Sequence, residues 1–292
     1  MSTSYGYYKY QPSAAAAGVF AVLFAIPTLY HCYLCFRTRT WFMLALIIGG
    51  FFELIGYASR LASTHHLTSL PAFVTQMLLI LLAPSLFAAS LYMLLGRLMA
   101  FVAGPNSNSI SHALIPPRFL TKLFVVGDVA SFLLQCMGGG ITAAGALGSD
   151  PDPAKVRLGN NVIKIGLVVQ VGFFAFFLVV GSWWKRGVER DAAAVAAVGG
   201  SGSAVEQQAW RKHFWVLMGA SGLVFVRCVF RVAEYLSGQD GALLTREWYA
   251  YVFDAVLMLG VVVLYAVVHP GEVLGAASGE KEGKDGLGME LA

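Results

Sequence analysis

The chain has 292 residues, of which 58% are hydrophobic and 12% charged, with a formal net charge of +4. Soluble domains carry about 25% charged residues, so a mean hydropathy of +0.69 excludes an ordinary water-soluble enzyme or nucleic-acid-binding domain. A ~30 Å hydrocarbon core needs about 20 apolar residues per helix, and runs at 14–36, 41–62, 72–98, 121–146, 161–184, 212–236 and 247–268 meet that length.

Residues 1–13 form a Tyr-rich leader (Tyr5, Tyr7, Tyr8, Tyr10) with Lys9 as its one basic residue. The first apolar run is long and lacks a cationic segment ahead of it, so it reads as a permanent helix rather than a cleavable signal. The four cysteines give no disulfide framework: Cys136 and Cys228 fall within spans, and Cys32 and Cys35, at the end of the first, fit apolar packing or juxtamembrane palmitoylation. A tight turn at 37–40 leads into the second helix and a short loop at 63–71 into the third, where Pro84 should kink the helix and free a carbonyl. The 104–117 segment, rich in Asn, Ser and Pro, predicts no regular structure.

The fourth helix carries Gly138–Gly139–Gly140, then Thr142, Ala143 and Gly145. With Gly49–Gly50 and Gly219–Ala220–Ser221–Gly222, these small residues predict close helix contacts. Residues 148–160, with Pro151 and Pro153, predict the main loop on the opposite side. The Ala/Gly/Ser-rich stretch 187–209 predicts a mobile linker, and 271–292 a disordered tail. The expectation is an all-α, polytopic membrane protein: one seven-helix bundle over 14–270.

Basic residues concentrate in cytoplasmic loops. The side bearing Arg37, Arg39, Arg97, Arg118, Lys122, Lys185, Arg186, Arg190, Arg211, Lys212, Lys281 and Lys284 is far more basic than the side bearing Lys9, Arg60, Lys155, Arg157, Lys164 and Arg246. This predicts the N-terminus outside and the C-terminus in the cytoplasm, with the net positive charge facing anionic lipid.

Function points to the ionisable residues inside the spans. An arginine at mid-bilayer costs roughly 2.5–3.5 kcal/mol on insertion scales, so Arg227 and Arg231 must face protein, water or ligand. Helical spacing of i, i+4, i+7 groups Glu53, Tyr57 and Arg60 on the second helix. The same spacing groups Arg227, Arg231 and Glu234 on the sixth, and Glu247, Tyr251 and Asp254 on the seventh. Gln76, Gln135 and Gln170 add amides. In the expected orientation nearly all of these fall in the outer half of the membrane. Asp128 alone lies toward the inner side, which makes it the candidate for proton coupling. Acids outnumber bases, so an amine-bearing amphiphile suits such a site. The competing structural reading is that these charges only bind the helices to one another.

Several of these residues stand in a familiar pattern. Glu53-Leu-Ile-Gly-Tyr57 with Arg60, Gln76 ahead of Ala83-Pro84, Tyr92, Gly96-Arg97 and Asp128 with Ser131 and Gln135 carry part of it. Arg227-x-x-Phe230-Arg231-x-x-Glu234-Tyr235 with Glu247, Tyr251 and Asp254 carries the rest. In these the chain resembles the fungal lipid-translocating exporter family, which includes the aminocholesterol-resistance proteins. The resemblance implies a seven-helix plasma-membrane protein concerned with release or translocation of sphingoid long-chain bases and with resistance to amphiphilic toxins. The partners it implies are membrane lipids or amphiphilic small molecules. The chain departs from many members in lacking a glycosylation acceptor in its leader.

Rival readings are a lipid sensor that signals without transport and a metal-free intramembrane cyclase using Glu53 and Asp254 as acid and base. The third helix ends in Gly96-Arg97-Leu98, and no lysine lies in the seventh span to hold retinal, which weighs against ordinary receptors. The histidines (His31, His65, His66, His112, His213, His269) lie in loops or at span ends, so no metal is expected. No phosphate-binding Gly-Lys-Ser/Thr loop exists for ATP. The expectation is a non-enzyme without a cofactor.

Overall fold

Ser13 starts the first helix: its hydroxyl accepts the Ala16 N–H at 3.3 Å, the usual N-cap contact. The computed structural model describes residues 12–65, 69–103, 114–147, 152–197, 204–237 and 247–271. Within them the chain forms α1 (Ala14–Thr38), a short 3-10 turn (Trp41–Met43), α2 (Leu44–His65), α3 (Leu70–Ala103), α4 (Pro117–Leu147), α5 (Pro153–Ala197) and α6 (Ala204–Leu236). The last helix, α7 (Glu247–Val267), is regular except for a π turn at Tyr251–Val256. All seven helices are long and apolar enough to cross a membrane. The leader before residue 12, most of the 104–117 segment and the tail after Gly271 lie outside the described residues.

Two expected connections are helical instead. The loop expected at 148–160 gives way to α5 from Pro153, because Asp152–Pro153 is a strong helix start. The Asp152 carboxylate accepts the N–H groups of Ala154 at 2.9 Å and Lys155 at 3.3 Å. The Lys155 amide first, then the Ala154 amide, hold that carboxyl below its ordinary range. The linker expected at 187–209 is likewise helix through Ala197 and again from Ala204. Alanine has the highest helix propensity, and Glu189 bonds Lys185 at 3.2 Å and Arg211 at 3.0 Å across the α5–α6 corner. At 45 residues α5 is roughly 65 Å long, about twice the hydrocarbon thickness.

Sequential helices pack antiparallel, and α1 and α7 close the ring side by side, with His31 Nε2 at 2.9 Å from the Val262 carbonyl. The long α3 lies innermost: Phe87, Leu91, Tyr92 and Leu95 are fully buried. Tyr92 is packed by Phe124, Phe174 and Phe177 at ring distances of 5.2, 5.8 and 4.7 Å. The outer surface is apolar, with Val22, Ile26 and Leu29 on α1 and Val126, Val129 and Leu133 on α4 exposed. Exposed faces of this kind face lipid, because no soluble protein leaves so much contiguous apolar surface in water.

The α4–α5 seam uses glycine where the backbones meet. A Cβ at Gly159 would lie 2.5 Å from the Gly138 carbonyl and 2.6 Å from the Thr142 amide. The expected continuous bare face on α4 is narrower than its composition. Gly138 and Gly145 meet α5, whereas nothing lies within 4 Å of a Cβ placed on Gly139, Gly140, Gly219 or Gly222. Gly159→Val should therefore cost about 1–3 kcal/mol by overpacking and lower the thermal midpoint in detergent. Gly139→Val should leave it within a degree or two, and equal losses in both would contradict this seam.

Candidate functional site

Arg227, on α6, is 1% exposed and is the hub of the interior. Its Nε donates to Asp254 Oδ1 on α7 at 2.5 Å. Its Nη2 donates to the Ile80 carbonyl on α3 at 3.2 Å. Ile80 stands four residues before Pro84, so its carbonyl is the one whose helical donor the proline removes. The guanidinium supplies the missing donor, and its planar fork suits two acceptors at once. The π turn places Asp254 in a widened stretch of α7, a feature frequent at functional sites.

Glu53, on α2, is fully buried, and neither of its carboxylate oxygens has a hydrogen-bond partner among the described residues. It lies within electrostatic reach of both Asp254 and Arg227. Two carboxyl groups thus share one arginine, and Asp254 holds it. Tyr57, one turn along α2, sits among Glu53, Asp254, Arg60 and Tyr251. It stacks on Phe24 of α1 at 5.7 Å.

Toward the end of the bundle that holds the N-termini of α1 and α7, Arg60 Nη2 bonds Glu247 Oε1 at 3.0 Å. Arg60 Nε donates to the Tyr251 hydroxyl at 3.1 Å, and that hydroxyl donates to Glu247 Oε1 at 3.1 Å. The Ser13 N–H reaches both Glu247 oxygens at 3.0 Å. Phe20 stacks on Tyr251 at 5.0 Å. A polar line therefore runs from Glu247 and Arg60 at this end, past Tyr251 and Tyr57, to Asp254, Arg227 and Glu53 inside.

The other expected site residues form separate pairs. Arg231 bonds Glu234 of its own helix at 2.6 Å, with its guanidinium 5.6 Å from the Tyr235 ring, rather than joining the line from α2 and α7. Gln135 Nε2 donates to Gln170 Oε1 at 3.0 Å, bridging the α4–α5 seam, so these amides do not join the acids. Asp128 accepts the Tyr92 hydroxyl at 2.8 Å, while its Oδ1 has no hydrogen-bond partner among the described residues. Cys228, beside Arg227 on α6, lies within electrostatic reach of both Asp128 and Asp254. Gln76 is buried on α3, one turn before Ile80.

Sequence reasoning missed Tyr92 as the partner of Asp128 and the Ser13 amide as a ligand of Glu247. It expected a freed carbonyl near Pro84 but not the arginine that takes it. Counting back four residues from Pro84 to Ile80 is the signal that identifies that acceptor.

Seven membrane-crossing helices around this buried line of acids and arginines define a polytopic integral membrane protein with a polar interior. The family described as "RTA1 like protein" matches residues 46–277, most of the chain, and the chain belongs to that family. It is 28% identical to "Protein RTA1" of Saccharomyces cerevisiae over 90% of this chain and 84% of that protein. It is 30% identical to "Protoporphyrin uptake protein 1" of the same species, over 89% of this chain and 90% of the relative. It is 26% identical to a Saccharomyces cerevisiae "Sphingoid long-chain base transporter RSB1", over 86% of this chain and 69% of the relative. No solved structure matches the chain.

Removing one member of a buried ion pair costs about 3–5 kcal/mol, because the other charge is left uncompensated. Asp254→Asn alone should therefore lower the detergent melting midpoint sharply. The double variant Arg227→Gln/Asp254→Asn should lose clearly less than the sum of the two single variants. A strictly additive double variant would show that the two groups are not coupled.

Proposed function

We propose that this protein binds the polar head of an amine-bearing amphiphile between α2, α6 and α7 and moves it across the membrane. A sphingoid long-chain base or a related amine is the substrate class, and the biological outcome is lipid asymmetry and resistance to toxic amphiphiles. The observation that carries the reading is Glu53: a fully buried carboxyl group without a hydrogen-bond partner among the described residues, beside an arginine that Asp254 already occupies. A carboxylate in a dry apolar interior is held only with a cation beside it or as the neutral acid, and an ammonium is such a cation. The polar line from Glu247 and Arg60 gives a head group a route inward, while the hydrocarbon tail stays with the lipid-facing surface. The relative named for a sphingoid long-chain base supports this substrate class, and the one named for protoporphyrin uptake widens it to amphiphiles generally.

The ligand is carried without chemical change, and the site takes no cofactor. The plasma membrane is the proposed location, with the N-terminus outside and the C-terminus cytoplasmic. That sidedness follows from the distribution of basic residues. A C-terminal epitope tag should be reached by antibody only after cells are permeabilised, and labelling of intact cells would reverse the orientation.

The central test uses purified protein in phospholipid vesicles and a fluorescent sphingosine whose leaflet is read by a membrane-impermeant quencher. The wild-type protein should speed its exchange between leaflets. Glu53→Gln should slow that rate roughly tenfold, the equivalent of about 1.4 kcal/mol, with unchanged melting midpoint. Equal rates in the two proteins, or no acceleration by either, would remove the proposal; saturable binding without movement would turn the reading to a lipid sensor.

A further inference from the structure

Arg227 directs its hydrogen bonds to groups other than Glu53. Its Nε is taken by Asp254, and its Nη2 by the Ile80 carbonyl that Pro84 leaves without a helical donor. These acceptors lie on α7 and α3, so neither bond goes to α2, while Glu53 stays within electrostatic reach of the guanidinium. Asp254 and Arg227 together are a neutral pair, and Glu53 is the surplus acid of the cluster.

The groups around Glu53 are few. On its own helix stand Tyr57 and Arg60, and Arg60 is already bonded to Glu247 and Tyr251. From α6 comes Arg227, and from α7 come Asp254 and Tyr251. α3 presents the Ile80 carbonyl, and α1 presents Phe24 and Thr28. The Thr28 hydroxyl, packed against Gly50 one turn before Glu53, is also buried without a hydrogen-bond partner among the described residues. The two Glu53 oxygens, unpaired among the described residues and beside arginines already bonded to other acceptors, suit a species that brings donors and positive charge.

Resting on the proposed transport function, we infer that Glu53 is a proton–cation exchange site: the empty site returns across the membrane carrying a proton, and the loaded site carries the ligand's ammonium in its place. The balance is simple. The protonated carboxyl meets the cationic head, the O–H bond breaks, the proton leaves to water along the polar line, and the carboxylate pairs with the cation. No bond of the ligand is made or broken. One positive charge travels each way, so the cycle moves no net charge and is driven by a pH difference. Because Asp254 and Arg227 stay paired throughout, the exchange changes the charge state of one residue only.

The test uses the full-length protein in proteoliposomes with a pH-sensitive dye trapped inside. The substrate is a quaternised, permanently cationic sphingoid base, so that only the protein titrates. Adding it outside should alkalinise the lumen with a stoichiometry near one proton per cation. Its apparent affinity should weaken about tenfold per unit of falling pH wherever Glu53 holds its proton, the limit for one exchanged proton. Glu53→Gln, which is close in size and shape, should remove the proton movement. Cation uptake by wild-type protein at constant luminal pH would overturn the exchange and leave the transport reading intact. No uptake by wild-type protein would overturn the transport reading and this inference with it. If Asp128→Asn rather than Glu53→Gln abolished proton movement, the assignment to Glu53 would be wrong. The wild-type stoichiometry decides the exchange even if the Glu53 variant does not fold.

Discussion

The bundle depends on how one arginine is kept in hydrocarbon. Arg227 sits where a guanidinium is expensive, and the structure offsets that cost with a carboxylate from α7 and a carbonyl from α3. The carbonyl is available only because Pro84 cannot donate to it. Proline is tolerated in membrane helices when a neighbour re-satisfies the freed group. Here that neighbour is a charged side chain from another helix, so the proline in α3 and the ion pair to α7 belong to one arrangement. Changing Pro84, Arg227 or Asp254 would alter the surroundings of the other two.

Around that hub the interior separates into polar line and apolar seam. α2, α6 and α7 carry the acids and arginines of the polar line, with Ser13 closing it at the end of the bundle, while the buried acid Asp128 of α4 is paired apart from it with Tyr92. α4 and α5 are joined by glycine contacts and by one amide pair, Gln135 with Gln170. In lipid there is little hydrophobic drive between helices, so close backbone approach and polar pairs do the holding. The two halves of the bundle use these two means in different proportion. That division places the uncommitted carboxyl on the polar side, where a ligand's charge has a partner.

Much of this was legible from residue type and spacing. Seven apolar runs predicted the seven helices, and the i, i+4, i+7 grouping of Glu53, Tyr57 and Arg60 and of Glu247, Tyr251 and Asp254 predicted facing polar sides. What spacing does not carry is partner choice. Arg231 lies one turn from Arg227, yet it turns to Glu234 of its own helix, because an i, i+3 acid is always within reach. Helix ends were misread where composition was taken for conformation: Asp152–Pro153 is a cap followed by a first turn, and alanine-rich sequence after Gly187 propagates helix. Gly139 and Gly140 show the same limit, since small residues permit close contact without requiring it.

The wide turn at Tyr251–Val256 has a bearing on how the last helix can vary. Such a turn amounts to one extra residue, and each residue in a regular helix advances the direction of its side chains by about 100°. The segment before it is held at Glu247, and the segment after it is held where the Val262 carbonyl meets His31. The bulge therefore sets the phase between two anchored halves. Loss of one residue within the turn would remove the bulge and leave Met258, Val261 and Tyr265 facing the core, whereas a single-residue insertion or deletion in the regular helix between the turn and Val262 would rotate that face by about 100°. A change of length is therefore absorbed at the bulge and nowhere else between the two anchors.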